Sequence, residues 1–330
     1  MEEYKLSKVK VFWMEIHSPQ LMEIEKRLLK DGYNLVRPVS RTNHKEHLSL
    51  ISDADYVIVG GIRLTRDLIQ AGKKLKLICK YGVGTDLIDI EAAKELHIHV
   101  ARAAGSNAVP VSEHAIGLML AVNKRIPFCD QSLRQGKWIK REMRDNCYML
   151  YKKRIGLVGC GNVGKNVAKR LSCFDVELVY YDVLQLNEQL EKQYHLKWVS
   201  LEELVRTSDV ISIHAALTDK TKGMFDYDMI CKMKPTSILI NTSRGALVKE
   251  EDLARALIEK KIRGAGLDVY ESEPLAEKEK LFLKLDNIVM TPHIADACID
   301  NVQNITRSVY ENIYNFQEKN GYILDKNFVC

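Results

Sequence analysis

The chain has no Cys-x-x-Cys pair; its eight cysteines, at positions 79, 129, 147, 160, 173, 231, 298 and 330, are scattered. That spacing excludes a zinc ribbon and a disulfide framework. Cysteines within apolar stretches such as LICK and GLVGCG read as reduced, mostly buried thiols. No apolar run approaches the roughly 18 residues of a membrane helix. The opening MEEYKLSKVKVFW starts with two acids and lacks the apolar core of a signal peptide. With 7 prolines and 18 glycines in 330 residues, a collagen-like or disordered chain is also excluded. The net charge of +5 is spread over mixed-sign faces, and KKLK (73–76) and EKEK (277–280) are short runs. A nucleic-acid binder would need a denser basic stripe. There is no repeat at solenoid spacing and no low-complexity segment. A soluble, cytoplasmic protein is expected, with neither nucleic acid nor membrane as partner; its mild positive charge helps to draw in anionic small molecules.

What is present is alternation. Short apolar runs and helical patterns succeed one another from end to end, which marks parallel α/β architecture, and the length suits two domains. The first series gives KVKVFWMEI, an amphipathic helix SPQLMEIEKRLLKDGY ending at Gly32, and then the strands ADYVIVGG, LKLICKYG and HIHVARAAG. The second begins at KKRIGLVGCG and continues through ELVYYD, DVISIHA, SILINTS, GAGLDVY and NIVMTPH. Helices fall between these strands, one of them opened by Ser200 and Glu203 at capping-box spacing. Six strands with helices between them predict a complete doubly wound dinucleotide fold. Two long helical stretches, one through SEHAIGLMLAVNK and one through NVQNITRSVYENIYNF, connect the series, so that the C-terminal residues return to the first domain.

GLVGCGNVG places Gly159, Gly161 and Gly164 in the spacing G-x-G-x-x-G, with a strand before, a helix after, and Asp182 ending the next strand. Such glycines let backbone approach a pyrophosphate at a helix N-terminus, and the acid accepts hydrogen bonds from a ribose diol. It would repel a 2′-phosphate, so NAD is expected over NADP. Further on, Arg244, Asp268, Glu273 and His293 fall at the carboxyl ends of successive strands, where open α/β sheets bind ligands. His293 in NIVMTPH, taken alone, reads as a hydrogen-bonded histidine at the mouth of a buried strand. With an arginine to hold a carboxylate and an acid to pair with the imidazole, the set suits hydride transfer between a nicotinamide and a 2-hydroxy or 2-oxo acid.

The motifs GLVGCGNVG, INTSRGALVKEEDL, GAGLDVYESEP and TPHIA resemble, in order and spacing, those of the D-isomer-specific 2-hydroxyacid dehydrogenase family, and the likeness covers nearly the whole chain. The resemblance implies a Rossmann doubly wound parallel-sheet cofactor domain, residues 105–298, and a discontinuous flavodoxin-like α/β substrate domain, residues 1–104 with 299–330. It implies Arg244, Glu273 and His293 as catalytic residues. Cofactor contacts would come from Gly159, Gly161, Asn162, Val163, Gly164, Asp182, His214, Ala215, Thr242 and Asp268. Substrate contacts would come from Lys80, Val83 and Gly84 in the loop KYGVGTD. His114, in the interdomain entry GSNAVPVSEH, is expected to be structural, with Ser112, Glu113 and His114 opening the connecting helix. The sequence departs from the family pattern at Leu87, Ala216 and Cys298, none of them among the catalytic three. The resemblance further implies NAD as cofactor, a homodimer, and a small-molecule 2-hydroxy or 2-oxo acid as substrate. 3-Phosphoglycerate is one candidate, with Lys80 or Lys140 meeting the phosphate. Glyoxylate, hydroxypyruvate or another 2-oxo acid is the alternative, phosphite a further one, and a non-catalytic NAD-sensing protein on the same scaffold a reading of a different class. A C-terminal regulatory domain, and with it feedback by serine, is not expected.

Overall fold

The computed structural model describes residues 8–275 and 277–330. The acidic opening residues and the EKEK side chains lie outside what is described. The chain forms two compact units, one from the residues through Asn107 together with Ala297–Cys330, the other from Ala108–Asp296. The first crossing falls at 107/108 rather than 104/105 because the connecting helix, Ala108–Lys124, begins there. Ser112, Glu113 and His114 therefore lie within that helix and do not open it.

The first unit is a five-stranded parallel sheet of β1 (Val9–Trp13), β2 (Tyr33–Val36), β3 (Tyr56–Val59), β4 (Leu77–Lys80) and β5 (His99–Arg102), in the order β2-β1-β3-β4-β5. Strand alternation sorts the core onto its two faces. Val11, Trp13, Ile58 and Cys79 pack with Ile305, Val309 and Ile313 of the helix Ile299–Glu318, while Phe12, Val57 and Ile78 pack with Ile51 and Leu68 on the other side. The C-terminal segment is also bonded to β5: Val100 N–H donates to Cys330 O at 2.8 Å and Arg102 N–H to Asn327 O at 2.8 Å. The helix expected to end at Gly32 ends at Leu28, and Gly32, at φ +90°, makes the turn into β2.

The second unit is a seven-stranded parallel sheet of β6 (Arg154–Val158), β7 (Glu177–Tyr181), β8 (Leu196–Trp198), β9 (Val210–Ile213), β10 (Ile238–Asn241), β11 (Gly264–Leu267) and β12 (Ile288–Met290), in the order β12-β11-β10-β9-β6-β7-β8. The order reverses between β6 and β9, the crevice where doubly wound sheets take ligands. Helix Ala108–Lys124 covers one face through Ala115, Leu118 and Met119, and Leu253 and Leu257 of the helix Glu250–Ile258 cover the other. Two strands, β2 and β8, were not legible in the sequence. Both are sheet edges and half exposed, so neither has the continuous apolar run that betrays a central parallel strand. β12 is also an edge strand of intermediate burial, not the buried strand that NIVMTPH suggested.

Candidate active site

The loop after β6 turns on three glycines with three different jobs. Gly159 has φ +95°, and a Cβ there would sit 2.6 Å from the Ala215 backbone nitrogen. A Cβ on Gly164 would collide with the Gly159 carbonyl, so that glycine lets helix and strand close together. A Cβ on Gly161 would meet nothing within 4 Å, leaving open space in front of the helix Asn162–Leu171. Gly161 caps that helix without a side-chain bond, so the N–H groups around Asn162 and Val163 present an uncapped positive end. Asp182 pins the loop from the side: its carboxylate accepts from Cys160 N–H at 2.7 Å and from Leu184 N–H at 3.3 Å. At the ends of β9 and β10, His214 Nδ1 and Thr242 Oγ1 are buried with no protein partner. His214 bonds Ser212 Oγ at 2.9 Å through Nε2, and burial pushes its pKa down to about 4, so the ring is neutral at pH 7. Ala215 is tied to the β10 loop, where Ser243 Oγ donates to its carbonyl at 2.6 Å. An open cradle, an uncapped helix end and two orphaned polar atoms in one crevice fit a dinucleotide.

Beyond β10, β11 and β12 the loops bring the charged residues together. His293 is three residues past β12, at φ +52°, and its Nδ1 meets Glu273 Oε2 at 2.6 Å. Glu273 Oε1 accepts from Tyr270 N–H at 3.0 Å, so both carboxylate oxygens are used. That bond to Glu273 raises the His293 pKa against opposing burial and the nearby Arg244 charge. Burial pushes the Glu273 carboxyl up, but His293, the Tyr270 N–H and Arg244 together hold it below the usual range. Arg244 thus lies within electrostatic reach of both partners. Its loop is fixed by Asn241, whose Nδ2 donates to Arg244 O at 2.9 Å and whose Oδ1 accepts from Ser243 N–H at 3.0 Å.

Asp268 anchors the histidine loop from below. It has no exposed surface and accepts from Thr291 Oγ1 at 2.6 Å, Ile294 N–H at 3.0 Å and Ala295 N–H at 2.9 Å. Despite burial, the hydrogen bonds from His114, Thr291 and the two backbone N–H groups hold its pKa low. His114 Nε2 also reaches Thr291 Oγ1 at 2.9 Å, so this histidine braces the loop. Thr291, Asn241 and Ser243 escaped the sequence reading; their only signal was a hydroxyl or amide within two or three residues of Arg244 or His293.

In the first unit, β4 ends on Lys80 and the loop after it carries Val83 and Gly84. Lys80 Nζ donates to Gly60 O, Tyr81 N–H to Val59 O at 2.7 Å, and Gly82, at φ +119°, accepts from Ala103 N–H at 2.9 Å. Lys140 lies exposed at the start of the helix Lys140–Arg144 in the second unit. A cavity of about 810 Å³, lined among others by Arg125, Phe128, Tyr148 and Arg263, opens at the amino ends of β10–β12. It is at the opposite sheet edge from His293. Among the described residues no cluster suits a metal ion, and no helix is long and apolar enough to cross a membrane.

Residues 116–295 match the family model described as D-isomer specific 2-hydroxyacid dehydrogenase, NAD binding domain. The hydroxypyruvate reductase of Thermotoga maritima is 37% identical over 271 residues, covering 82% of this chain and 87% of that protein. The D-3-phosphoglycerate dehydrogenase of Methanocaldococcus jannaschii is 39% identical over 250 residues, covering 76% of this chain but 47% of that longer protein. Among solved structures, an NAD-dependent formate dehydrogenase from Staphylococcus aureus in complex with NAD superposes with a TM-score of 0.85 at 28% identity, covering 97% of this chain and 99% of that one.

Proposed function

The chain belongs to the D-isomer specific 2-hydroxyacid dehydrogenase family and is an NAD-dependent enzyme, and from that premise we propose that it interconverts a compact, unphosphorylated D-2-hydroxy acid and its 2-oxo acid. The observation that carries the catalytic assignment is the 2.6 Å His293–Glu273 pair within the field of Arg244. With Nδ1 held by Glu273, His293 has Nε2 left to face a substrate hydroxyl. In oxidation Nε2 takes the hydroxyl proton, and Glu273 stabilises the imidazolium that results; in reduction the same nitrogen returns the proton to the carbonyl oxygen. Arg244, always charged and planar, holds the carboxylate and polarises the carbonyl. Bound NAD supplies the hydride acceptor, held by the glycine cradle, with Asp182 set against a 2′-phosphate. Val83 and Gly84 are assigned to the substrate carboxylate through their N–H groups, and the first unit is accordingly the substrate domain. The NAD-sensing alternative is not favoured, since the relatives are enzymes and the Arg–Glu–His set is intact.

The Thermotoga hydroxypyruvate reductase, matched over 87% of its length, supports the unphosphorylated substrate, and Lys80 already gives one of its three donors to the Gly60 carbonyl. The phosphorylated reading draws on the Methanocaldococcus relative. NADH oxidation with glyoxylate, hydroxypyruvate, phosphohydroxypyruvate and a branched 2-oxo acid decides between them. At least about tenfold higher kcat/KM for glyoxylate or hydroxypyruvate than for the phosphorylated acid is expected, with NADPH a poor donor. The reverse preference would overturn the substrate proposal and leave the reaction class standing.

The protein is also proposed to be a cytoplasmic homodimer. All eight cysteines are free thiols, as a reducing compartment requires, although only Cys79 and Cys160 are buried, not most of them as the sequence suggested. Large apolar side chains stand exposed on one stretch of the second unit, Leu133 at 58%, Trp138 at 78% and Met149 at 60%. Exposed apolar side chains of this size fit burial against a second copy of the chain. Light scattering is expected to report a dimer that Trp138→Asp converts to monomer; a wild-type monomer at micromolar concentration would sink the assignment.

A further inference from the structure

At the carboxyl edge of the first sheet lies a network of charged groups that the reaction above does not use. Glu15, just past β1, is 7% exposed. Its carboxylate fills the space that a side chain at position 60 would take, for a Cβ on Gly60 would come 2.5 Å from Glu15 Cδ. One Glu15 oxygen accepts from Gly61 N–H and has Arg41 Nη2 at 3.7 Å, and the other lies 3.4 Å from His17 Nε2. His17 Nδ1 reaches Glu25 Oε1 at 2.5 Å; Glu25, fully buried, pairs with Arg37. Arg37 closes the circuit, donating to Glu15 O at 2.7 Å and stacking over Trp13 at 4.3 Å. Tyr81, at the root of the loop after β4, has its ring centre 5.1 Å from Trp13 and 5.7 Å from His17. Gly60 offers its carbonyl to Lys80, the last residue of β4 before that loop.

We propose that the Glu15–His17–Glu25–Arg37 network is a positioning device for the loop Lys80–Gly84: Glu15, seated over Gly60 and bonded to Gly61, sets the turn after β3, and that turn and the Trp13–Tyr81 contact together fix the loop. The inference rests on the reading that Val83 and Gly84 hold the substrate carboxylate. It goes beyond that reading in assigning carboxylate affinity to residues that do not touch substrate. A loop held in this way acts on every 2-oxo acid alike, because all share the carboxylate. The groups facing His17 are Glu15 from the end of β1, Glu25 from the helix Pro19–Leu28, Arg37 beyond β2 and Tyr81 beyond β4. Burial opposes the imidazolium, but Glu15 and Glu25 outweigh it and lift the His17 pKa to about 9, so the network is intact at pH 7. It loses its central charge as pH rises through about 9.

The test is a double-mutant cycle on the full chain with Gly60→Ala and Glu15→Ala, read by KM for each 2-oxo acid, Kd for NADH, and amide exchange across residues 80–86. Gly60→Ala evicts the carboxylate without removing a charge, and the clash is with the far end of a flexible side chain, so it serves as the second variant should Glu15→Ala be poorly stable. Each single change is expected to raise KM about tenfold for all acids that turn over, with Kd for NADH within about twofold. Combined, the two should cost no more than Glu15→Ala alone, since the three atoms nearest the added methyl all belong to the Glu15 carboxylate, and exchange at Val83 and Gly84 should be faster in all three variants. Glu15→Gln, which keeps an acceptor for Gly61, should recover part of the loss. Additive effects, a KM rise confined to one acid, or unchanged exchange in folded Gly60→Ala would each overturn the proposal. Should no acid turn over in the wild type, the substrate reading fails separately, and the exchange measurement alone decides the inference.

Discussion

Replacing His293 by alanine is expected to lower kcat about 10²–10⁴-fold while Kd for NADH stays within about twofold of the wild type. The dinucleotide cradle is built from other loops, and the histidine loop is anchored through Asp268 and Thr291 rather than through the imidazole, so the substitution removes a proton carrier and little else. The pH dependence follows from the sign of the shift. The hydrogen bond from His293 Nδ1 to the Glu273 carboxylate lifts the His293 pKa above its ordinary value, with burial and Arg244 opposing. Reduction consumes a proton and needs the imidazolium, so its rate holds at low pH and falls as pH rises through the raised pKa. Oxidation needs the neutral ring and rises through the same point. Glu273→Gln removes the carboxylate and should move both limbs to lower pH. Rate profiles from pH 5 to 10 in both directions check this. Unaltered turnover in His293→Ala would end its assignment as acid/base, and an unmoved limb in Glu273→Gln would end the pairing role.

Gly245→Ala should be nearly as damaging by a different route. A Cβ on Gly245 would fall on the backbone carbonyl of Tyr270, and backbone cannot swing aside as a flexible side chain can. Overpacking of this kind costs roughly 1–3 kcal/mol, and rigid backbone on both sides puts this case at the upper end. The position also ties stability to chemistry. Gly245 follows Arg244, and Tyr270 N–H holds Glu273 Oε1 at 3.0 Å, so any relief of the clash moves the arginine or the histidine's partner. A displacement of about 1 Å there is worth on the order of 10²-fold in rate. A lowered melting temperature together with reduced kcat is expected. A variant that melts and turns over like the wild type would show that these two loops are looser than their packing indicates.

The central strands were legible because parallel strands buried on both faces leave uninterrupted apolar runs, as in DYVIVGG and SILINTS. The glycine cradle was legible because G-x-G-x-x-G carries its geometry in its spacing. Arg244, Glu273 and His293 were legible as residue types at strand ends, though each lies in a loop beyond its strand rather than on it. The edge strands β2 and β8 were hidden, since one exposed side leaves YNLV and LKW no distinct pattern. The Glu15–His17–Glu25–Arg37 network was equally hidden. Its members look like ordinary surface charges in sequence, and only the fold brings the end of β1, the helix after it and the loop beyond β2 to one place. Gly60 gave no warning either, because an empty side-chain position does not say whose carboxylate will fill it.

The first sheet is completed from both ends of the chain, with helix Ile299–Glu318 against one face and residues 327–330 bonded to β5. A ribosome makes those pieces only after the whole of the second unit. During synthesis the second unit can therefore close on its own residues while Trp13, Ile58 and Cys79 wait uncovered. The nascent protein passes through a stage in which its Rossmann unit is finished and the other sheet still shows one apolar face to the cell. Chaperone demand should concentrate in that interval.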